Sequence, residues 1–150
     1  MRALIQRVRY AAVEIDGQEW SRIGAGLLVL VGIEHDDSQE DSEWLSGKIA
    51  AMRLFADEQG KMNRSVIDIE GELLVVSQFT LHASTKKGNR PSFLRAAAPV
   101  QAEPMYEQFC RNLQQLTGRT VKQGRFGADM QISLCNDGPV TIGIDSKDRQ

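Results

Sequence analysis

Leu27-Leu28-Val29-Leu30-Val31-Gly32-Ile33 is an unbroken apolar run rich in β-branched residues, entered through Gly24 and Gly26. A run this short and this apolar predicts a strand covered on both faces, and such a strand needs a packed layer on either side. Toward the N-terminus, residues 2–9 and 10–15 read as strand material, with Ala11, Val13 and Ile15 alternating. Asp16-Gly17 then offers the two positive-φ-tolerant residues of a tight hairpin, so residues 18–23 should return antiparallel. Toward the C-terminus, Leu45, Ile49, Met52 and Ala56 repeat at helical spacing within 38–60, with Glu40, Asp41 and Glu43 near the start and Gly60 as a stop. Residues 73–79 predict a second buried strand. Residues 82–99, with Gly88, Pro91 and Pro99, predict a long exposed loop. A second helix is expected over about 103–117, with Pro104 in its first turn, Tyr106, Phe109, Leu113 and Leu116 on one face and Gly118 at its end. Val121, 130–135 and 140–144 complete the strands. The expected order is β-β-β-α-β-α-β-β-β: an α/β protein, one layered domain over residues 1–150. Helices would lie on one face of a mixed sheet, and β-hairpins on the other face or against a second subunit (α/β/β).

The chain has 150 residues, 41% of them hydrophobic and 25% charged, which fits one globular domain and excludes a disordered chain. Its longest apolar run falls far short of the roughly 20 residues of a membrane span. The opening MRALIQRVRY lacks the pattern of a signal peptide, so the cytosol is the expected compartment. Cys110 and Cys135 have no metal-ligand spacing and fall in apolar patterns, which predicts buried thiols. With only His35 and His82 beside them, neither a metal nor another cofactor is expected, and a Cys–His nucleophilic pair has no local signature. A net charge of −2 does not announce a nucleic-acid partner. Local basic faces remain available in Lys86, Lys87 and Arg90, and in Arg119, Lys122 and Arg125; either cluster is a solvated rim or a contact for RNA.

Two segments stand out for chemistry. Ser77-Gln78-Phe79-Thr80-Leu81 carries a buried strand out into polar residues, where free backbone N–H groups either converge on a ligand or are satisfied locally. Asn136-Asp137-Gly138-Pro139-Val140-Thr141 reads, on its residues alone, as a turn, and the Gly138–Pro139 bond admits either isomer. The two segments together resemble the D-aminoacyl-tRNA deacylase family. So do the MRALIQRV opening, the KGNRPSF loop from Lys87 to Phe93 and the FGADM run from Phe126 to Met130, all in the family's order and over essentially the full length. Gly143 departs from the family, which has a bulkier residue there, and puts local packing in question.

The resemblance implies a homodimer with active sites at the subunit interface and an aminoacyl-tRNA substrate. Phe79 and Thr80 would be catalytic through their main-chain amides, with Ser77, Gln78 and Met130 binding the terminal adenosine; Met130 fits a pocket wall and a core residue equally. Gly138 and Pro139 match a Gly–cis-Pro element that one subunit inserts into the other's site, where its carbonyls leave no room for an L side chain. Such a pocket would still admit glycine. Lys86, Lys87 and Arg90 would be the tRNA contacts. An aminoacyl ester is already activated and carries a neighbouring ribose hydroxyl, so hydrolysis is compatible with the absence of a triad. Thr80 as a covalent nucleophile stays open, although no base is evident beside it. The competing readings are an editing deacylase for another mischarged tRNA, a non-catalytic tRNA-binding module and a subunit whose hairpins serve only dimerisation.

Overall fold

A computed structural model describes residues 1–149. The elements are β1 (Arg2–Ile15), β2 (Gln18–Ile23), β3 (Gly26–Gly32), α1 (Gln39–Ala51), β4 (Phe55–Ala56), β5 (Met62–Arg64), β6 (Glu72–Ser77), a 3-10 turn (Phe79–His82), α2 (Pro99–Thr117), β7 (Lys122–Gln123) and β8 (Gln131–Asp145). β1 organises the mixed sheet. Its first half pairs antiparallel with β3 and its second half with β2, while β8 lies along almost its whole length on the opposite edge. β6 and β7 extend the sheet in parallel beyond β3. The hydroxyl of Ser21 on β2 donates to the Gln123 carbonyl on β7 at 2.9 Å, so the sheet curls until its ends meet.

The Leu27–Ile33 run behaves as its composition requires. Leu27, Val29 and Val31 face a core shared with Leu45 and Ile49 of α1 and Tyr106, Phe109 and Leu113 of α2, whereas Leu28 faces a second cluster with Val13, Ile23, Leu74 and Val76. Both faces are thus buried, with both helices on the first and the curled β2–β1–β8 ribbon closing the second. Gly26 is obligatory at the entry of β3, because a Cβ there would lie 1.9 Å from the Glu72 carbonyl oxygen of the neighbouring strand.

Several boundaries differ from expectation. Residues 2–15 form one strand, not two. α1 stops at Ala51 instead of running to Gly60: the adjacent apolar pair Leu54 and Phe55 is buried through an extended chain, and Asp57 accepts the Gln59 and Lys61 N–H groups to turn a β4–β5 hairpin. The buried strand ends at Ser77, two residues before Phe79. α2 starts at Pro99, which takes the first-turn role assigned to Pro104; Pro104 lies inside the helix, and Leu116 is exposed rather than packed. The runs 130–135 and 140–144 belong to one strand, because β1 supplies a continuous partner on both sides of the presumed turn. Cys110 is buried as expected, but Cys135 on the ribbon is only half-buried. A Cβ on Gly143 would meet nothing within 4 Å, so the missing side chain leaves space rather than strain.

Buried Asp41 anchors the start of α1. It accepts hydrogen bonds from the Ser38 backbone N–H at 2.9 Å and hydroxyl at 3.0 Å, and from Lys147 Nζ at 2.7 Å. Burial opposes its ionisation, but Lys147 and Ser38 outweigh it and hold the carboxyl well below the usual range. A carboxyl depressed on folding contributes stability that is complete above its unfolded value of about 3.9 and fades as pH falls toward the folded one. Asp41→Asn should therefore lower unfolding free energy by about 2 kcal/mol at pH 7 and by progressively less in acid. Urea titrations at pH 7 and pH 3 check this; equal stabilities at pH 7 would refute it.

Candidate active site

The site begins where β6 leaves the sheet. Gln78 still belongs to the ladder, donating its N–H to the Val31 carbonyl at 2.7 Å. The chain then tightens into the 3-10 turn, closed by Leu81 N–H to the Gln78 carbonyl at 3.3 Å and capped by Ala83 N–H to the Thr80 carbonyl at 3.1 Å. Internal bonding starts with the Leu81 donor, so the Phe79 and Thr80 N–H groups have no partner within the turn. The Gln78 carboxamide donates to the Thr80 hydroxyl and ties the two side chains together.

This strand end opens into a cleft of about 610 Å³. Its lining includes Val31 and Val76, the strand end Ser77, Gln78 and Phe79, and the run Phe126–Met130. Phe93 completes the wall, edge-on to Phe79 with ring centroids 5.1 Å apart. The Phe93 segment is pinned from behind: Arg95 pairs with buried Glu34 at 2.6 Å, and Ala97 N–H bonds the Ile33 carbonyl at 2.9 Å. Phe126 leans on Tyr106, whose hydroxyl donates to the Val75 carbonyl at 2.9 Å. Met130 lines the cleft and also packs on the second core cluster. Its sulfur would lie only 2.6 Å from a Cβ on Gly124, so glycine there makes room for it.

Gly138 and Pro139 do not line this cleft. They sit exposed in a bulge of β8, where Asp137–Val140 all stand opposite Arg7, between the pairs Gln6↔Thr141 and Val8↔Asn136. The Gly138–Pro139 bond is cis. Two residues to which the sequence reading gave no site role shape this bulge. Asn136 clamps its neck, accepting the Val140 N–H at 2.8 Å and donating to the Val140 carbonyl at 3.2 Å and the Thr141 hydroxyl at 3.0 Å. Arg7 supports it from β1, with Nε donating to the Asp137 carbonyl at 2.8 Å and Nη1 to the Leu54 carbonyl at 2.5 Å. The signal for Arg7 was an arginine within an apolar strand, a position where charge needs partners.

Of the alternative nucleophiles, Cys110 is remote in character: burial pushes its thiol up to about 12, far from a reactive thiolate. The Thr80 hydroxyl is bonded to a carboxamide, which is no base at neutral pH. Lys86, Lys87 and Arg90 are exposed on a loop closed by paired Ser84–Ser92 backbone bonds of 2.8 Å, outside the cleft lining. Among the described residues, no helix is long and apolar enough to cross a membrane.

Comparison with known proteins gives a consistent result. Residues 4–145 match the family described as D-Tyr-tRNA(Tyr) deacylase. The chain is 63% identical to the D-aminoacyl-tRNA deacylase of Cytophaga hutchinsonii and 61% identical to that of Parabacteroides distasonis, with both members of each pair covered in full. Among solved structures, one titled c-Myc DNA Unwinding Element Binding Protein superposes with a TM-score of 0.91 at 43% identity, covering 97% of this chain and 98% of the other. A probable eukaryotic D-amino acid tRNA deacylase shares the fold, with a TM-score of 0.81 at 17% identity over 95% of this chain and 98% of that one. With its family profile matched almost end to end and relatives this similar over their whole length, the chain belongs to the D-Tyr-tRNA(Tyr) deacylase family.

Proposed function

We propose that this protein hydrolyses the ester of D-aminoacyl-tRNA to free amino acid and tRNA, with the Phe79 and Thr80 amides as oxyanion donors. The observation that carries this reading is the pair of N–H groups left without a partner in the turn, which starts at Phe79 in the lining of a largely apolar cleft large enough for a nucleoside, with Thr80 the next residue beyond that lining. A well-placed donor of this kind stabilises the tetrahedral intermediate by about 3–4 kcal/mol. The terminal adenosine occupies the cleft against Met130, with Ser77 and Gln78 at its polar end, and the substrate's own ribose hydroxyl positions the attacking water. Thr80 acts by holding the turn through Gln78 rather than as a nucleophile.

The working unit in this proposal is a homodimer in the cytosol. Gly138 and Pro139 are exposed on a braced bulge outside their own cleft, which supports a role in the site of a second subunit. There their carbonyls exclude L side chains, while glycine, having none, is admitted. Lys86, Lys87 and Arg90 flank the Phe93 wall and meet the tRNA backbone. The test is a deacylation assay with D-tyrosyl-, L-tyrosyl- and glycyl-tRNA. The D and glycyl esters should be cleaved and the L ester spared; equal cleavage of the D and L esters would refute the chiral reading.

A further inference from the structure

In the function proposed above the cleft takes one nucleoside and the substrate RNA continues beyond it, and an exposed aromatic lies on a strand tied to the cleft wall. Trp20 is 52% exposed, although large aromatics are usually much better covered. It is the extra residue of a β-bulge, skipped between the pairs Val13↔Ser21 and Glu14↔Glu19, and bulges re-aim side chains. The Arg125 guanidinium lies over its ring, 5.8 Å from the centroid. Arg125 immediately precedes Phe126, which lines the cleft, and Ser21, next to Trp20, bonds the Gln123 carbonyl. The bracket is therefore continuous with the cleft wall.

Charge points to the same partner. Arg119, Lys122 and Arg125 fall in residues 118–128, a stretch without an acidic residue. Neither Lys122 nor Arg125 carries a salt bridge among the described residues, and Lys122 is exposed. Nearby Arg22 lies over Tyr10, 5.6 Å from its centroid, but its charge is already met by Glu19 at 3.0 Å, so it adds no free cation. An exposed aromatic ring beside unpaired cations is the combination that binds single-stranded nucleic acid: bases stack on the ring and the backbone follows the positive charge.

We propose that Trp20, Arg125 and Lys122 form a second RNA contact, in which an unpaired base just upstream of the terminal adenosine stacks on the free face of Trp20 while Lys122 and Arg125 meet backbone phosphates. This deepens the deacylase reading by locating part of the tRNA. It also assigns recognition to a surface distinct from the Lys86–Arg90 loop.

The primary test is binding of uncharged tRNA, which does not depend on ester hydrolysis. Trp20→Ala should weaken it on the order of 10-fold, Trp20→Phe should recover most of the loss, and Lys122→Gln with Arg125→Gln should flatten its salt dependence. In hydrolysis, Trp20→Ala should raise KM for D-tyrosyl-tRNA with kcat unchanged, and leave cleavage of 3′-(D-tyrosyl)adenosine untouched. Unaltered tRNA binding by Trp20→Ala would overturn the proposal, as would an equal effect on both esters. A change in dimer mass on substitution would do so too, by assigning the aromatic to a protein interface. If the wild type binds tRNA through Trp20 but cleaves neither ester, the deacylase reading fails while the RNA contact stands.

Discussion

Thr80→Pro should lower turnover of D-aminoacyl-tRNA about 100- to 1000-fold, the usual cost of deleting one oxyanion donor. Proline removes the N–H and fixes φ near −65°, a value that a 3-10 turn already uses. Because the Thr80 N–H bonds nothing within the turn, the substitution deletes no hydrogen bond of the fold. Proline also restricts Phe79, so circular dichroism and native mass belong beside the kinetics. Thr80→Ser and Thr80→Ala keep the amide and should retain measurable turnover, with alanine the slower because Gln78 loses its partner. Complete inactivity of Thr80→Ala together with an aminoacyl-enzyme trapped in rapid quench would establish covalent catalysis instead. A substrate with a terminal 2′-deoxyribose should be cleaved far more slowly by the wild type, and undiminished cleavage would remove the ribose from the mechanism.

Gly138→Ala should produce the second large effect, a loss of activity or of D selectivity with the fold intact. Gly138 has φ +145°, which L residues rarely adopt, and an added Cβ would lie 2.9 Å from Val140 Cγ2, 3.0 Å from Val140 N and 3.2 Å from Arg7 Nη2. The bulge cannot absorb this in place, because Asn136 and Arg7 hold it on both sides. Since Gly138 is exposed, the displacement should be felt at the bulge surface rather than in the core. If the bulge completes a second subunit's site, mixing Gly138→Ala chains with Thr80→Pro chains should restore about a quarter of wild-type activity, because random exchange leaves half the dimers mixed, each with one intact site. No recovery after demonstrated subunit exchange would place Gly138 and Thr80 in the same subunit's site.

The sequence was most legible where one local rule governed the outcome. The Leu27–Ile33 run could be buried only as a two-faced strand, and Asp16-Gly17 fixed the first hairpin. Legibility failed where a distant partner overrode local preference. Asn-Asp-Gly-Pro is turn chemistry, yet residues 136–139 sit within a strand because β1 passes beside them on both flanks. The apolar spacing after Ala51 still resembled a helix, but burying Leu54 and Phe55 together required an extended chain. The candidate site was named through its motifs and not through physical pattern alone. Phe79 and Thr80 were named without the 3-10 turn that leaves their amides free. Arg7 and Asn136 were given no supporting role because those roles depend on register across 130 positions and on a clamp closed four residues along the strand.

The ladder between β1 and β8 also has a consequence in time. Arg2 meets Asp145, 143 positions away, and the pairing continues along nearly all of β1. Contacts between such distant residues must close large loops before they are rewarded, which makes this a slow-folding topology. Until β8 arrives, the outer edge of β1 stands unpaired, an invitation to pairing with another nascent chain. The same late strand follows directly on Met130 and carries Gly138 and Pro139. Under the function proposed above, the strand that covers the outer edge of β1 also carries the bulge that would enter a second subunit's site, so a chain caught before β8 docks would lack it.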